Sequence, residues 1–284
     1  MARDFDSLWD YSDPHQTEIK LREALSQIAE SDQAHLELLT QIARAQGLQQ
    51  KFEEAHQTLG QVEKRLENQV SRASVRYYLE RGRVFNSAGH PEQARPFFEQ
   101  ALDMAKQLSE DFYEVDALHM LAIVAPPASS LDLNLLAIQY AESSGQEKAR
   151  GWLGSLYNNT GWSYHEMGNY ESALELFEKA EAIRKLKGSA SELRIATWCV
   201  ARALRSLKHV EEALAKQIKL KAEYDANNQS DGYVFEELGE CLLELKRTEE
   251  ARPYFVKAYE TLSQDIWLAE KEPERLKRLK ALSV

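Results

Sequence analysis

Residues Tyr157–Ala180 read YNNTGWSYHEMGNYESALELFEKA and have the pattern of two helices joined by a short turn, MGNY. Apolar and small residues recur at spacings of three and four on both sides of this turn, which is the period of one helix face. A small residue stands in the first helix where the second helix must touch it. The residues that would make this contact are Gly161, Ala173, Phe177 and Ala180. The stretch therefore predicts a helix–turn–helix unit.

Weaker copies of this unit follow one another along most of the chain. Their starts lie 38 to 40 residues apart, so each 34-residue copy is followed by a few extra residues. The six units span residues 36–69, 75–108, 115–147, 154–187, 194–227 and 232–265. The third unit is degenerate, because Ala125-Pro126-Pro127 stands where the turn belongs. A unit of this size cannot bury its apolar face alone, so the units must stack.

The repeat resembles the tetratricopeptide repeat family at positions 4, 7, 8, 11, 20, 24 and 27 of each unit, over about residues 36–265. The resemblance implies an all-α fold, a right-handed superhelical α-solenoid of about six units. The chain departs from the family in the third turn and at position 32, where the family's proline is missing throughout. We expect a small residue at position 8 to admit the second helix closely, and phenylalanine at position 24 to fill the gap to the next unit.

Both ends of such a stack need caps, because a terminal repeat would expose its apolar face. Residues 1–35 are predicted to form an arm and then a capping helix that begins at Pro14, with an N-cap acceptor before it. The apolar residues of the arm are Phe5, Leu8, Trp9 and Tyr11. Residues 266–284 are predicted to form a C-terminal capping helix. Its basic run, Lys277, Arg278 and Lys280, is expected on the solvent side.

Composition narrows the class of partner. A net charge of −11 and a pI near 5.3 argue against binding to nucleic acid or to an anionic membrane. The two cysteines, Cys199 and Cys241, have neither metal-ligand nor disulfide spacing, which is typical of a reducing compartment. The first residues hold four aspartates and no apolar run, and no window approaches eighteen apolar residues. We therefore expect a cytoplasmic protein, either a monomer or a weak homodimer.

No catalytic pattern emerges. The sequence has no phosphate-binding loop, no HExxH and no GxSxG, and its seven histidines are scattered without metal-ligand spacing. Carboxylates are so frequent that no pair stands out for acid–base chemistry. We therefore expect a protein that is not an enzyme and that uses no metal or cofactor.

The remaining candidate is the stripe of each first helix opposite the packing stripe, at positions 2, 5, 6, 9, 12 and 13. The resemblance implies that this inner stripe lines a concave surface. The candidate peptide-binding residues on it are Arg44, Arg76, Arg83, His119, Asn158, Asn159, Trp162, His165, Trp198, Arg202 and Arg205. Amides pair with a peptide backbone, arginines bind carboxylates and tryptophans supply contact area. Asn158 and Asn159 resemble the paired asparagines of peptide-binding family members.

From this stripe we expect non-catalytic binding of a peptide segment of a partner protein, centred on Asn158, Asn159 and Trp162 with Arg83 and Arg202. Two other interpretations of the side chains stay open. The tryptophans pack between neighbouring first helices, or the arginines form ion pairs with Glu80, Asp116 or Glu166. A glutamate cluster makes the sixth unit the acidic end of the stripe. Two other functions stay open as well, a sensor switched by a peptide or small ligand and a self-assembling scaffold.

Overall fold

The computed structural model describes residues 5–66 and 70–284, and this part of the chain contains helices and no strand. The chain divides into two compact units, Met1–Leu156 and Tyr157–Val284, and the boundary falls inside one helix. The all-α repeat fold predicted from the sequence is confirmed.

The first unit holds a short 3-10 helix, a leading helix and three helix pairs. The 3-10 helix Asp6–Leu8 lies in the arm, and α1 (Pro14–Leu25) follows it. The three pairs are α2 (Gln33–Leu48) with α3 (Phe52–Glu63), α4 (Arg72–Ser87) with α5 (Pro91–Leu108), and α6 (Asp111–Val124) with α7 (Pro127–Ser143). A short helix α8 (Glu147–Arg150), which the sequence analysis did not predict, follows the third pair.

The second unit contains three more pairs and two closing helices. The boundary crosses α9 (Leu153–Glu166), whose partner is α10 (Tyr170–Lys187). The other pairs are α11 (Ala190–Ser206) with α12 (Val210–Ala226) and α13 (Gly232–Glu244) with α14 (Thr248–Leu262). The predicted C-terminal cap is two helices, α15 (Ile266–Lys271) and α16 (Pro273–Leu282). Pro273 begins α16 because its fixed φ suits the first position of a helix.

Side-chain caps explain several of the helix starts. The carboxylate of Asp13 accepts from the backbone of Gln16 at the start of α1, as the N-cap pattern predicted. Ser71 and Ser74 form a capping box on α4, and Ser189 and Glu192 form one on α11. Each cap satisfies N–H groups that the helix itself leaves without partners.

Buried phenylalanines hold three of the helix pairs together. Phe98, Phe177 and Phe255 are each at most 1% exposed. Each ring lies against the glycine at position 8 of its own pair, namely Gly82, Gly161 and Gly239. Each ring therefore fills the space that the missing glycine side chain leaves within its own pair, and its expected role in the gap to the next unit stays a prediction.

The core continues from pair to pair within each unit. In the first unit, one cluster of buried apolar residues joins the arm to helices α1 to α4, and another joins α4, α5 and α6. In the second unit, a single cluster runs from α10 to α16 and ends at Leu268 and Leu279, which are fully buried. Within each unit, the packed core therefore fixes the positions of the first helices and of the inner stripe on each of them.

Candidate functional site

In the first unit, the inner-stripe arginines are held in ion pairs between successive first helices. The guanidinium of Arg83 on α4 bonds to Glu80 at 2.6 Å and also to Asp116 on α6. Arg44 on α2 lies 3.5 Å from Glu80. Arg83 therefore forms the ion pairs with Glu80 and Asp116 that the sequence analysis left open as one interpretation.

The carboxylates beside Arg83 keep its guanidinium group charged. Burial disfavours the guanidinium cation, but Asp116 and Glu80 outweigh it and hold the pKa of Arg83 above its ordinary value. Breaking this pair would leave carboxylates uncompensated, since Glu80 is 2% exposed and Asp116 3%. Arg83 therefore acts here as a structural cation.

Arg76 and His119 are also engaged in contacts within the first unit. The Nε of Arg76 donates to the hydroxyl of Tyr113 at 2.7 Å and lies 3.4 Å from a carboxylate oxygen of Glu37. The ring of His119 lies against Trp152, with centroids 5.2 Å apart. Burial lowers the pKa of His119, so its imidazole is neutral at physiological pH.

In the second unit, five of the predicted residues surround one cleft with a volume of about 570 Å³. These residues come from α9 and α11 and are Trp162, His165, Trp198, Arg202 and Arg205. The other walls of the cleft carry Glu166, Glu236, Glu237, Glu240, Glu272, Arg275 and Arg278. We call this site the second-unit cleft.

One wall of the second-unit cleft is aromatic. The rings of Trp162 and Trp198 lie 5.9 Å apart, and Trp162 also packs on Phe177 at 5.2 Å. The indole N–H of Trp198 donates to the backbone carbonyl of Tyr233 at 3.1 Å. Both tryptophans are half-buried. They therefore pack between first helices, as one interpretation held, and also present ring surface to the cleft.

The acidic end of the stripe is neutralised by arginines. Arg205 binds Glu237 through two nitrogens, one of them at 3.1 Å, and reaches Glu244 at 2.9 Å. Burial raises the pKa of Glu237 even though Arg205 and Arg202 oppose this shift. The sixth unit is thus far less negative than its sequence suggests.

Helix α16 completes this neutralisation. Arg275 bonds to Glu236 at 2.6 Å, and Arg278 bonds to Glu240 with one contact of 3.0 Å. Arg278 lies on the solvent side of α16 as expected, with its side chain 52% exposed, and it also pairs with the carboxylate of Glu240 on α13. These pairs span 38 and 39 residues, which is the repeat period, so α16 pairs as a further first helix would.

Arg202 is the least compensated of the four cleft arginines. Its nearest carboxylate oxygen, on Glu237, is 3.8 Å away, and its Nη1 donates instead to the hydroxyl of Ser206 at 2.5 Å. Burial lowers the pKa of Arg202, whereas the pKa values of Arg205, Arg275 and Arg278 are raised. Arg202 therefore retains the greatest capacity to bind an incoming acceptor.

His165 lies beside Arg202. Its Nε2 is 2.9 Å from the hydroxyl of Ser206. Burial, with the positive charges of Arg202 and Arg205, lowers the pKa of His165 to about 4. The imidazole is neutral at physiological pH and adds hydrogen-bonding capacity without charge.

The asparagine pair lies apart from the cleft lining. Asn158 accepts a hydrogen bond from the thiol of Cys199 at 3.3 Å, and Asn159 is exposed. Burial raises the pKa of Cys199 to about 12, so the thiol stays protonated. The structure therefore brings Trp162 and Arg202 together, and the role of Asn158 and Asn159 in binding stays a prediction.

Sequence reasoning missed three cleft residues, Glu272, Arg275 and Arg278. The spacing of 39 residues between Glu236 and Arg275 was the available signal, since it equals the spacing of the repeats. Among residues 5–66 and 70–284, no group of three or more His, Cys, Asp and Glu side chains has an arrangement fit to hold a metal ion. Within the same residues, no helix combines the length and apolar character needed to cross a membrane.

Comparisons with known proteins identify the repeat. The tetratricopeptide repeat family matches residues 75–108, 154–185 and 234–261, which are the second, fourth and sixth pairs. No protein with a curated description matches the sequence.

Solved structures share the fold at low sequence identity. The apo form of RapI is 14% identical with a TM-score of 0.74, covering 92% of this chain and 75% of RapI. A STAND signal-transduction ATPase with a tetratricopeptide repeat sensor from Pyrococcus horikoshii is 16% identical with a TM-score of 0.73, covering 94% of this chain and 41% of that one. The apo quorum sensor NprR from B. thuringiensis is 15% identical with a TM-score of 0.66, covering 96% of this chain and 77% of NprR.

Proposed function

Because the chain is a tetratricopeptide repeat protein, we propose that it is a non-catalytic interaction module that binds a peptide segment of a partner protein in the second-unit cleft. The observation that carries the proposal is the pairing of an aromatic wall with one under-compensated arginine. Trp162 and Trp198 offer ring surface, and Arg202 lacks a close carboxylate. Buried aromatic anchors and arginines dominate many protein interfaces.

The paired charges define what the cleft would accept. Glu236, Glu237 and Glu240 are each bound by an arginine, so they do not attract a basic peptide strongly. An acidic side chain or a backbone carbonyl of a ligand would bind Arg202, and an apolar side chain would pack on the tryptophan rings. The ligand class is therefore a segment with an apolar or aromatic residue next to an acceptor group.

Arginine side chains that are already held by ion pairs in the free cleft also favour binding. Arg205 is fixed by Glu237 and Glu244, and Arg275 by Glu236 and Glu272. Because these walls are already ordered, less side-chain entropy is lost when a ligand enters.

The proposal is tested by selecting random displayed peptides against the full chain and measuring their affinities. We expect Trp162→Ala to weaken the selected peptides at least about tenfold, or 1.4 kcal/mol. The matched control is Trp267→Ala, which removes an indole that is 58% exposed on α15 and lies outside the cleft. Both variants are first compared by thermal unfolding. Equal affinities for the wild type and a folded Trp162→Ala chain would overturn the proposal.

A regulatory sensor is the second candidate. Its support is that two proteins with this fold are described as sensors, the quorum sensor NprR and the STAND protein with a tetratricopeptide repeat sensor. A ligand that binds only the folded chain raises its thermal midpoint by mass action. A sensor ligand should also change the radius of gyration in small-angle scattering. A midpoint shift with an unchanged radius would favour simple binding over sensing.

A further inference from the structure

The arm lies on the inner stripe of the first helix pair. The indole N–H of Trp9 donates to the amide oxygen of Gln41 at 3.2 Å. The rings of Trp9 and Tyr11 stack 5.0 Å apart with 17° between their planes. The guanidinium of Arg44 sits over both rings, 5.5 and 5.6 Å from their centroids. Gln41 and Arg44 occupy positions 6 and 9 of the repeat, where a peptide was expected to bind.

Phe5 and the backbone of Asp10 anchor the arm more firmly than the rings of Trp9 and Tyr11 do. Phe5 is 6% exposed and belongs to the core with Leu21. The N–H of Asp10 donates to the hydroxyl of Thr17 at 2.9 Å, and that hydroxyl lies 3.0 Å from the Asp10 carbonyl. Tyr11, by contrast, is 63% exposed. Exposed cation–π and stacking contacts each contribute little, so the rings of Trp9 and Tyr11 can be displaced, and full displacement also opens the bond of Asp10 to Thr17.

A small cavity continues the surface that the arm covers. Its volume is about 150 Å³. Its lining includes the apolar side chains of Leu48, Val84 and Met120 and the charged side chains of Arg44, Arg83 and Glu80. Arg44 is therefore shared between the arm and the cavity. A segment lying where the arm lies would have room for a further apolar side chain.

We propose that the inner stripe of the first helix pair binds an aromatic, acidic peptide segment of a partner protein, and that the arm is its resident occupant. The arm itself gives the ligand chemistry, since it reads FDSLWDYS over residues 5–12. The indole of Trp9 bonds to Gln41, the ring of Tyr11 stacks on Trp9, and the guanidinium of Arg44 lies over both rings. The partner segment displaces Trp9 and Tyr11 and takes up their contacts.

This surface lies wholly in the first unit, so it does not depend on the second-unit cleft. A role confined to capping makes a different prediction. In that case, removing Trp9 and Tyr11 lowers thermal stability but leaves a surface that binds nothing.

The probe is a fluorescent synthetic peptide with the sequence of residues 5–12, titrated against the full chain by anisotropy. We expect the double variant Trp9→Ala, Tyr11→Ala to bind it at least about tenfold tighter than the wild type, because its own arm no longer competes. Adding Arg44→Ala to the double variant should abolish this gain. The matched control, Arg95→Ala, removes an arginine of α5 whose side chain is 48% exposed and should leave the gain intact.

A second measurement uses the wild-type chain in case the double variant does not fold. Saturating peptide should speed hydrogen exchange at the amide of Asp10, since displacement of the arm opens its bond to Thr17. Equal peptide affinities for wild type and folded double variant, or unchanged exchange in the wild type, would overturn the proposal. Light scattering supplies one further outcome that would overturn the proposal. If the wild type is a dimer and the double variant is a monomer, the surface binds the arm of a second copy.

Discussion

At the residue scale, the packing of the second unit depends on a glycine that leaves room for a ring. A Cβ built on Gly161 would lie 2.6 Å from a ring carbon of Phe177, and one on Gly239 would lie 2.7 Å from Phe255. The phenylalanines are fully buried and cannot move aside without opening space elsewhere. The absence of a side chain at position 8 is therefore what lets the two helices of a pair approach.

This close approach predicts opposite effects for two glycine substitutions. Gly161→Ala should destabilise the chain by about 1–3 kcal/mol, because overpacking outweighs the better helix propensity of alanine. Gly60→Ala, in α3, should stabilise by up to about 1 kcal/mol, because a Cβ there meets nothing within 4 Å. Denaturant unfolding of both variants measures the difference. Equal effects of the two substitutions would refute the packing role.

His165 predicts a pH dependence of stability. Its pKa falls from 6.5 to about 4 in the folded chain. Between these values the unfolded chain binds a proton that the folded chain does not, so the free energy of unfolding decreases as pH falls from about 6.5 to 4. His165→Gln should lose stability less steeply over this window. Above pH 7 the difference between variant and wild type should stay constant, which serves as the internal control.

The sequence predicted packing residues better than site residues. Gly161, Ala173 and Phe177 were assigned correctly, because helix periodicity alone fixes the face of a side chain. The ion pairs of Arg205 with Glu237 and Glu244 were not, because the carboxylate that a long side chain reaches depends on its rotamer. The cleft positions of Glu272, Arg275 and Arg278 were missed because the repeat spacing was not followed beyond the sixth unit.

At the element scale, one turn position recurs through five of the six pairs. The residue at position 15 has a left-handed backbone in each, with φ between 61° and 86°. These residues are Gln50, Gly89, Gly168, Lys208 and Lys246. The third pair lacks it, because Ala125 is extended before Pro126 and α7 begins at Pro127. The proline pair thus changed the turn as expected, and the helix pair still forms.

The recurring turn predicts that glycine is preferred at position 15. Lys246 is exposed and has φ 62°, which costs a residue with a Cβ about 1 kcal/mol. Lys246→Gly should therefore stabilise by up to about 1 kcal/mol, less the entropy that glycine adds to the unfolded chain. Lys219→Gly, in the middle of α12, is the control and should destabilise by about 1 kcal/mol. Thermal unfolding that ranks the two variants alike would contradict the account.

At the scale of the whole molecule, ion pairs on the inner stripe join one first helix to the next. Arg83 reaches Asp116 over 33 residues, Arg205 reaches Glu237 over 32, and Arg278 reaches Glu240 over 38. Each pair joins one first helix, or α16, to its neighbour. The inner stripe is therefore mostly a paired structural surface, and a binding site is expected only where the pairing is incomplete, at Arg202, or where exposed contacts can be exchanged, at the arm.

The most direct test of this account is the affinity of a selected peptide for Arg202→Ala, measured by calorimetry beside Arg252→Ala. Arg252 of α14 has a side chain that is 42% exposed and pairs only with Glu249 among the described residues, so it serves as the matched control. We predict that Arg202→Ala weakens the peptide about tenfold or more, with an unchanged thermal midpoint, and that Arg252→Ala binds as the wild type does. Wild-type affinity in Arg202→Ala would contradict the proposed cleft.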